Sequence, residues 1–86
     1  MNINQLVEIV KNKLHNNIVC DNIEVEDKTF LHENHTSHDK NKFHIKLIIT
    51  STDLKKKNKI QSTKEIYKIL EKELKYNIHS IQILIN

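Results

Sequence analysis

Apolar residues recur along this chain with two different periods, and the switches between them mark out its elements. Ile3, Leu6, Val7, Val10 and Leu14 return every three or four residues, which predicts an amphipathic helix ending near His15. Asn2 or Asn4 is available to cap its start, and Asn16-Asn17 stops it. The period then drops to two. Ile23 to Phe30, IEVEDKTF, alternates apolar with acidic residues, and Lys42 to Thr50 alternates more strongly, with Phe43, Ile45, Leu47 and Ile49 on one face. Both read as half-buried strands. Ser51 to Lys59, STDLKKKNK, reads as a charged connector with one apolar anchor, Leu54. Ser62 and Glu65 have the S-x-x-E spacing of a capping box, so a second helix is expected from Ser62, with Ile66, Tyr67, Ile69, Leu70 and Leu74 on its apolar face. After Tyr76-Asn77 the period is two again, with Ile81, Ile83 and Ile85 on one side and Ser80, Gln82 and Leu84 on the other. The order helix, strand, strand, helix, strand predicts an α+β fold. It is an α-β-β-α-β sandwich with a three-stranded mixed sheet and helices on one face. The first two strands are expected antiparallel, and the return to the third a right-handed parallel crossover.

Length narrows this picture to a single domain over residues 1–86. A chain of this size buries only roughly 60 to 65% of the surface its unfolded form exposes, so there is no room for a second core. It contains no Gly, Pro, Arg or Trp, and Lys supplies all its basic side chains. That bias towards Lys, Asn and Ile reads as the base composition of an AT-rich gene and says little about function. The net charge of +3 is spread along the chain, unlike the one-sided basic face of a strong nucleic-acid binder. One cysteine cannot form an internal disulfide, which fits a reducing compartment. No apolar run approaches the ~20 residues of a membrane span, and no signal-peptide pattern follows Met1. A monomer is expected, in the cytoplasm or, if a presequence has been removed, in an organelle.

Histidine is the residue type that carries candidate chemistry. His79 stands where the last helix hands over to the final strand, a place that holds a side chain rigidly while leaving its ring in reach of solvent. Two readings are open for it, a ligand or contact residue and a strand-start histidine bonded to backbone. Leu31 to Asn41, LHENHTSHDKN, is polar and carries His32, His35 and His38. Three-residue spacing puts these on one face if the segment is helical and promises nothing if it is a loop. A closed zinc site wants four N or S ligands, and this run offers a fourth donor only in Glu33 or Asp39. A stray zinc or nickel ion suits it better than a structural one, and an inert solvated loop is the plain alternative. His15 and His44 are expected at the surface, and Cys20 buried as a small hydrophobe. Lys55, Lys56, Lys57 and Lys59 form the densest basic run, read either as a solvated connector or as a surface that steers an acidic partner or phosphate.

From Ser51 onward these residues resemble the BolA-like family, small proteins whose fold is related to the type II KH domain. The family pattern S-x-x-F-x-G-x, then a hydrophobic residue, x-R-H-R, a hydrophobic pair often ending in Tyr, L-x-x-E-L and V/I-H-A-L is matched without a gap. It is met by Ser51, Leu54, Lys56 in the glycine place, Ile60, Ser62-Thr63-Lys64 in the R-H-R place, Ile66-Tyr67, Leu70, Glu73-Leu74 and Ile78-His79-Ser80-Ile81. Upstream, Ile23 to Asp27 resembles the family's first strand, and Lys42-Phe43 sits where His-Phe opens the second. Three positions depart from the pattern: the R-H-R triplet, the glycine, and the histidine before Phe43. Any contact the family makes through its basic triplet is left here to Lys64.

The resemblance implies partnership with a monothiol glutaredoxin and a [2Fe-2S] cluster shared with it and its glutathione, with no cofactor on the isolated chain. Carried over by position, the implied ligands are His79 and His32, with His35 and His38 as alternates. Imidazole replaces thiolate on one iron in Rieske centres, where it raises the potential. It must be neutral to bind, and an unperturbed imidazole has a pKa of about 6.5. The runner-up function is KH-like nucleic-acid binding in transcriptional regulation, through Lys55, Lys56, Lys57, Lys59 and Lys64. A KH domain clamps backbone with a G-x-x-G loop, and this chain has no glycine. Enzymatic activity is not expected, since no nucleophile elbow, phosphate loop or HExxH motif is present.

Overall fold

The structure is a computed structural model, and it describes residues 1–29 and 42–86. The elements are α1 (Ile3–Asn17), β1 (Asn22–Asp27), β2 (Phe43–Thr50), α2 (Thr52–Lys56), α3 (Lys59–Ile69), α4 (Glu71–Tyr76) and β3 (Ile78–Ile85). The sheet runs in the order β1-β2-β3, with β1 antiparallel and β3 parallel to the central β2. This is the mixed three-stranded α+β architecture that the hydrophobic periods predict.

Alternation decides which side of the sheet is covered. Ile23 on β1 and Ile45, Leu47 and Ile49 on β2 are buried against Leu6, Val10 and Leu14 of α1, Leu54 of α2, and Ile66 and Leu70 of the later helices. Ile81, Ile83 and Ile85 of β3 pack at the margin of the same core, half-buried because β3 is an edge strand. The opposite side of the sheet carries Glu24, Glu26, Lys46, Ile48, Ser80, Gln82 and Leu84, in rungs set by the pairing of Glu26 with Lys46 and of Lys46 with Gln82. α1 is capped as expected, by Asn2 in a reciprocal box with Gln5. A two-pronged ion pair from Lys13 Nζ to Glu73, at 2.9 and 2.8 Å, ties α1 to α4.

Two expectations are corrected around α2 and α3. The segment read as a connector contains a short helix, α2, capped by Ser51 Oγ accepting from the Leu54 N–H. The second helix does not begin at Ser62. Asn58 caps it, accepting from the Gln61 N–H, and α3 starts one residue later. Ser62 lies in the first turns of α3, buried, and its hydroxyl donates to the Leu54 carbonyl at 2.7 Å. Glu65, the other half of the expected box, pairs with Lys57. The reason is competition: Asn58, four residues upstream, offers an earlier cap, and the Ser62 hydroxyl goes instead to the Leu54 carbonyl, as a second donor beside the Lys57 N–H at 3.2 Å. The single long helix is also divided, because at Leu70 the backbone turns to φ −97° and ψ 17°. Of its expected apolar face, Ile66 and Leu70 are buried, Ile69 and Leu74 half-buried, and Tyr67 exposed.

Candidate functional site

β3 opens with an irregularity that decides where His79 goes. Phe43 pairs with Ile78, but the next residue of β2, His44, pairs with Ser80, so His79 is the extra residue of a β-bulge. Strict alternation would have put His79 on the same face as Ile81, towards the helices. The bulge keeps Ile78 buried in the core while His79 and Ser80 are both exposed. An imidazole is thereby presented to solvent from a backbone held on both sides by β pairing and by the Phe43 N–H donating to the Asn77 carbonyl at 2.9 Å.

Against the His79 ring lies a second imidazole. His44 is only 5% exposed, and its ring centroid is 4.7 Å from that of His79, with the planes tilted by 39°. Its Nδ1 is 2.6 Å from Ser80 Oγ, a hydrogen bond whose direction follows the ring's tautomer. The expectation that His44 is a surface residue is corrected. Phe43 and Ile45 face the core, so His44 lies on the opposite side of the sheet, and there the His79 ring and Ser80 pack on it. The backbone of His44 is clamped as well: its N–H donates to Thr29 Oγ1 at 3.2 Å, and its carbonyl accepts from the Lys28 N–H at 2.7 Å. Thr29 in turn bonds Asp27 Oδ1 through both its N–H and its hydroxyl.

These contacts place both stems of the segment 30–41, Thr29 and Lys42, at the same end of the sheet as His79. His32, His35 and His38 themselves lie outside the described residues. So do Glu33, Asp39 and Phe30; the strand expected to run from Ile23 to Phe30 already ends at Asp27, with Lys28 and Thr29 outside it. Among the described residues no three His, Cys, Asp or Glu side chains cluster as a metal site.

The lysines are elsewhere. Lys55, Lys57 and Lys59 line a cavity of about 280 Å³ together with Leu54, Ser62 and the last residues of β3, Ile83 to Ile85. Lys56 and Lys64 are exposed, at the end of α2 and on α3. Six residues of strand separate His79 from Ile85, or about 20 Å, so the histidine and lysine groups occupy opposite ends of β3. Cys20 is half-buried at the edge of the core, with Sγ 3.4 Å from His15 Nδ1, and His15 is exposed as expected. Burial, then the nearby Asp21 carboxylate, push the Cys20 thiol pKa up, away from the thiolate form.

His44 and Ser80 are the residues that sequence reasoning missed. A signal was present: Ile78 and Ile81 are both core-like but three residues apart, an odd step that a regular strand does not allow. That step requires a bulge between them and turns His79 towards the side on which His44 stands.

No curated protein matches the chain by sequence. Solved structures do. The BolA domain of SufE1 from Arabidopsis thaliana superposes with a TM-score of 0.81 at 26% identity, covering 99% of this chain and 94% of that one. BolA1 from Arabidopsis thaliana gives 0.77 at 20% identity, covering 93% and 88%. A Bol-like protein from Babesia bovis gives 0.69 at 14%, covering 92% and 80%. The last two show the fold alone. The family model for BolA-like protein matches residues 14–86, a span that includes the bulge, both clamped strands and the lysine-lined cavity. With the fold and most of the sequence accounted for in the same terms, the chain belongs to the BolA-like family.

Proposed function

We propose that this chain is an adaptor that binds a monothiol glutaredoxin and shares with it a [2Fe-2S] cluster, in cluster assembly, trafficking or iron regulation. The observation that carries the reading is the bulge at His79, which presents an imidazole to solvent beside both stems of the segment bearing His32, His35 and His38. An exposed imidazole is, in its neutral form, a fitting donor to iron, and the family resemblance implies a cluster completed by a partner's thiolates. The cluster brings the capacity to accept and release one electron, and to be handed on. This chain's part is to offer His79 at a fixed place. Ile78 anchors the strand in the core, the bulge turns His79 outward, and His44 lies against its ring. His32 is the proposed second donor, with His35 and His38 as alternates. In this reading the protein catalyses no reaction.

Mixing the chain with a monothiol glutaredoxin, glutathione, iron and sulphide tests the proposal. The expected result is a visible absorption and circular dichroism spectrum distinct from the glutaredoxin's own, lost in His79→Ala. A spectrum identical to that of the glutaredoxin alone, and indifferent to His79→Ala, would overturn it.

A second reading has its own observation, the cavity ringed by Lys55, Lys57 and Lys59. Three lysines in the lining of one cavity suit a phosphate backbone, with Lys56 and Lys64 as flanking contacts. Lys57 is already partly neutralised by Glu65 at 2.6 Å, which weakens this reading. Gel shifts against salt decide it. Retention that fades by 0.2 M salt, on the order expected for a few phosphate contacts, marks non-specific attraction, whereas sequence preference surviving that salt would promote nucleic acid to the leading function.

A further inference from the structure

We infer that His44 and Ser80 form a fixed shelf that orients the His79 ring, making both of them positioning residues for the ligand proposed above, on which this inference rests. An exposed side chain on a bulge ordinarily samples three staggered χ1 wells. His79 has a ring against it instead. The 4.7 Å centroid separation lies within the range in which tilted aromatic pairs attract. That neighbour is itself immobilised at three points: Ser80 Oγ at Nδ1, Thr29 Oγ1 at the backbone N–H, and the Lys28 N–H at the carbonyl.

The connectivity makes the device compact. Ser80 follows His79 in sequence and is also the cross-strand partner of His44, so the bulge that turns His79 outward also brings the anchoring hydroxyl to His44. A regular strand would put His79 and Ser80 on opposite faces, and the ring and its anchor could not serve the same neighbour. Donors to a metal gain from such support because it reduces the freedom lost on binding. Restricting one torsion from three equally populated wells to one favours the competent conformer by about threefold, which is the size of effect to look for.

The test reads His79 directly in the isolated chain, by three-bond couplings that report χ1 and by ring-to-ring nuclear Overhauser effects. The wild type is expected to show couplings of a single well and a contact between the two rings. His44→Ala is expected to give averaged couplings, His44→Phe to restore a single well by supplying a flat ring, and Ser80→Ala to fall between. Unaveraged couplings in His44→Ala, or averaging equal in His44→Ala and His44→Phe, would overturn the inference. If His44→Ala does not fold, Ser80→Ala decides, since its side chain is exposed: unchanged His79 couplings there count against the shelf. Titrating the same variants with cluster-loaded monothiol glutaredoxin separates this inference from the function beneath it. A half-point weakened about threefold in His44→Ala and recovered in His44→Phe is the expected result. No spectral change even with wild type removes the cluster-sharing reading and leaves the couplings to judge the shelf. A wild-type change reproduced unaltered by His44→Ala removes the shelf and leaves the cluster-sharing reading standing.

Discussion

The start of β3 and its end differ in where their polar side chains direct their hydrogen bonds. At the end, Ser51 Oγ donates to the Val19 carbonyl at 2.7 Å and accepts from the Leu54 N–H, and buried Ser62 donates to the Leu54 carbonyl. The backbone there is stitched as well, Ser51 N–H to the Asn86 carbonyl and Asn86 N–H to the Ile49 carbonyl. Both of these hydroxyls are consumed by the main chain of another segment. At the start, the side chains bond one another: His44 to Ser80, with His79 against His44 and open to solvent. Both ends hold residues of the family pattern, Ser51 at one and His79 at the other, yet Ser51 is buried and His79 faces outward. A shared motif therefore mixes residues that close the fold with residues that use it, and hydrogen-bond partners separate the two.

Folding stability sharpens this division. Leu54→Ala at the closed end carries the largest expected loss, about 3 kcal/mol, because a fully enclosed side chain leaves a cavity under α2 and α3. Ser51→Ala should follow at about 2 kcal/mol. It removes the α2 cap and the part-buried hydrogen bond to the Val19 carbonyl, from a residue that is itself fully buried. Urea midpoints check both, and a Ser51→Ala protein within a few tenths of wild type would mean that water replaces the hydroxyl and that the end is less closed than its contacts say. Lys57→Ala, which breaks only the exposed pair to Glu65, should cost no more than about 0.5 kcal/mol.

The same division explains what the sequence revealed and what it concealed. The three strands and α1 were legible because their apolar residues keep a clean period, and the order of elements followed from that. α2 was hidden, since five residues around a single buried Leu54 are too short to display a period. The false start of α3 at Ser62 came from a local spacing that two other contacts overrode: the Ser62 hydroxyl donates to the Leu54 carbonyl, and Asn58 offers an earlier cap. At the site, the exposure of His79 was legible from its position between elements. The place of His44 was not, because it depends on a cross-strand register that a bulge shifts by one residue. Nor does a three-residue step of histidines from His32 to His38 rank the three as candidate second donors.

His79→Ala shares with Lys57→Ala the smallest expected change in stability, and it bears hardest on the comparison. Its ring is exposed, and apart from the contact with His44 it fills no enclosed space, so its removal should shift the unfolding free energy by less than about 0.5 kcal/mol, the range of ordinary surface substitutions. The denaturant slope should be unchanged as well, because the surface exposed on unfolding scarcely alters. A histidine kept for packing or for a backbone bond would behave otherwise. A loss above about 1 kcal/mol would class His79 with Ser51 and Ser62, as a residue that closes the fold. The start of β3 would then be as structural as its end, and the case for an outward-facing ligand would lose the feature it depends on.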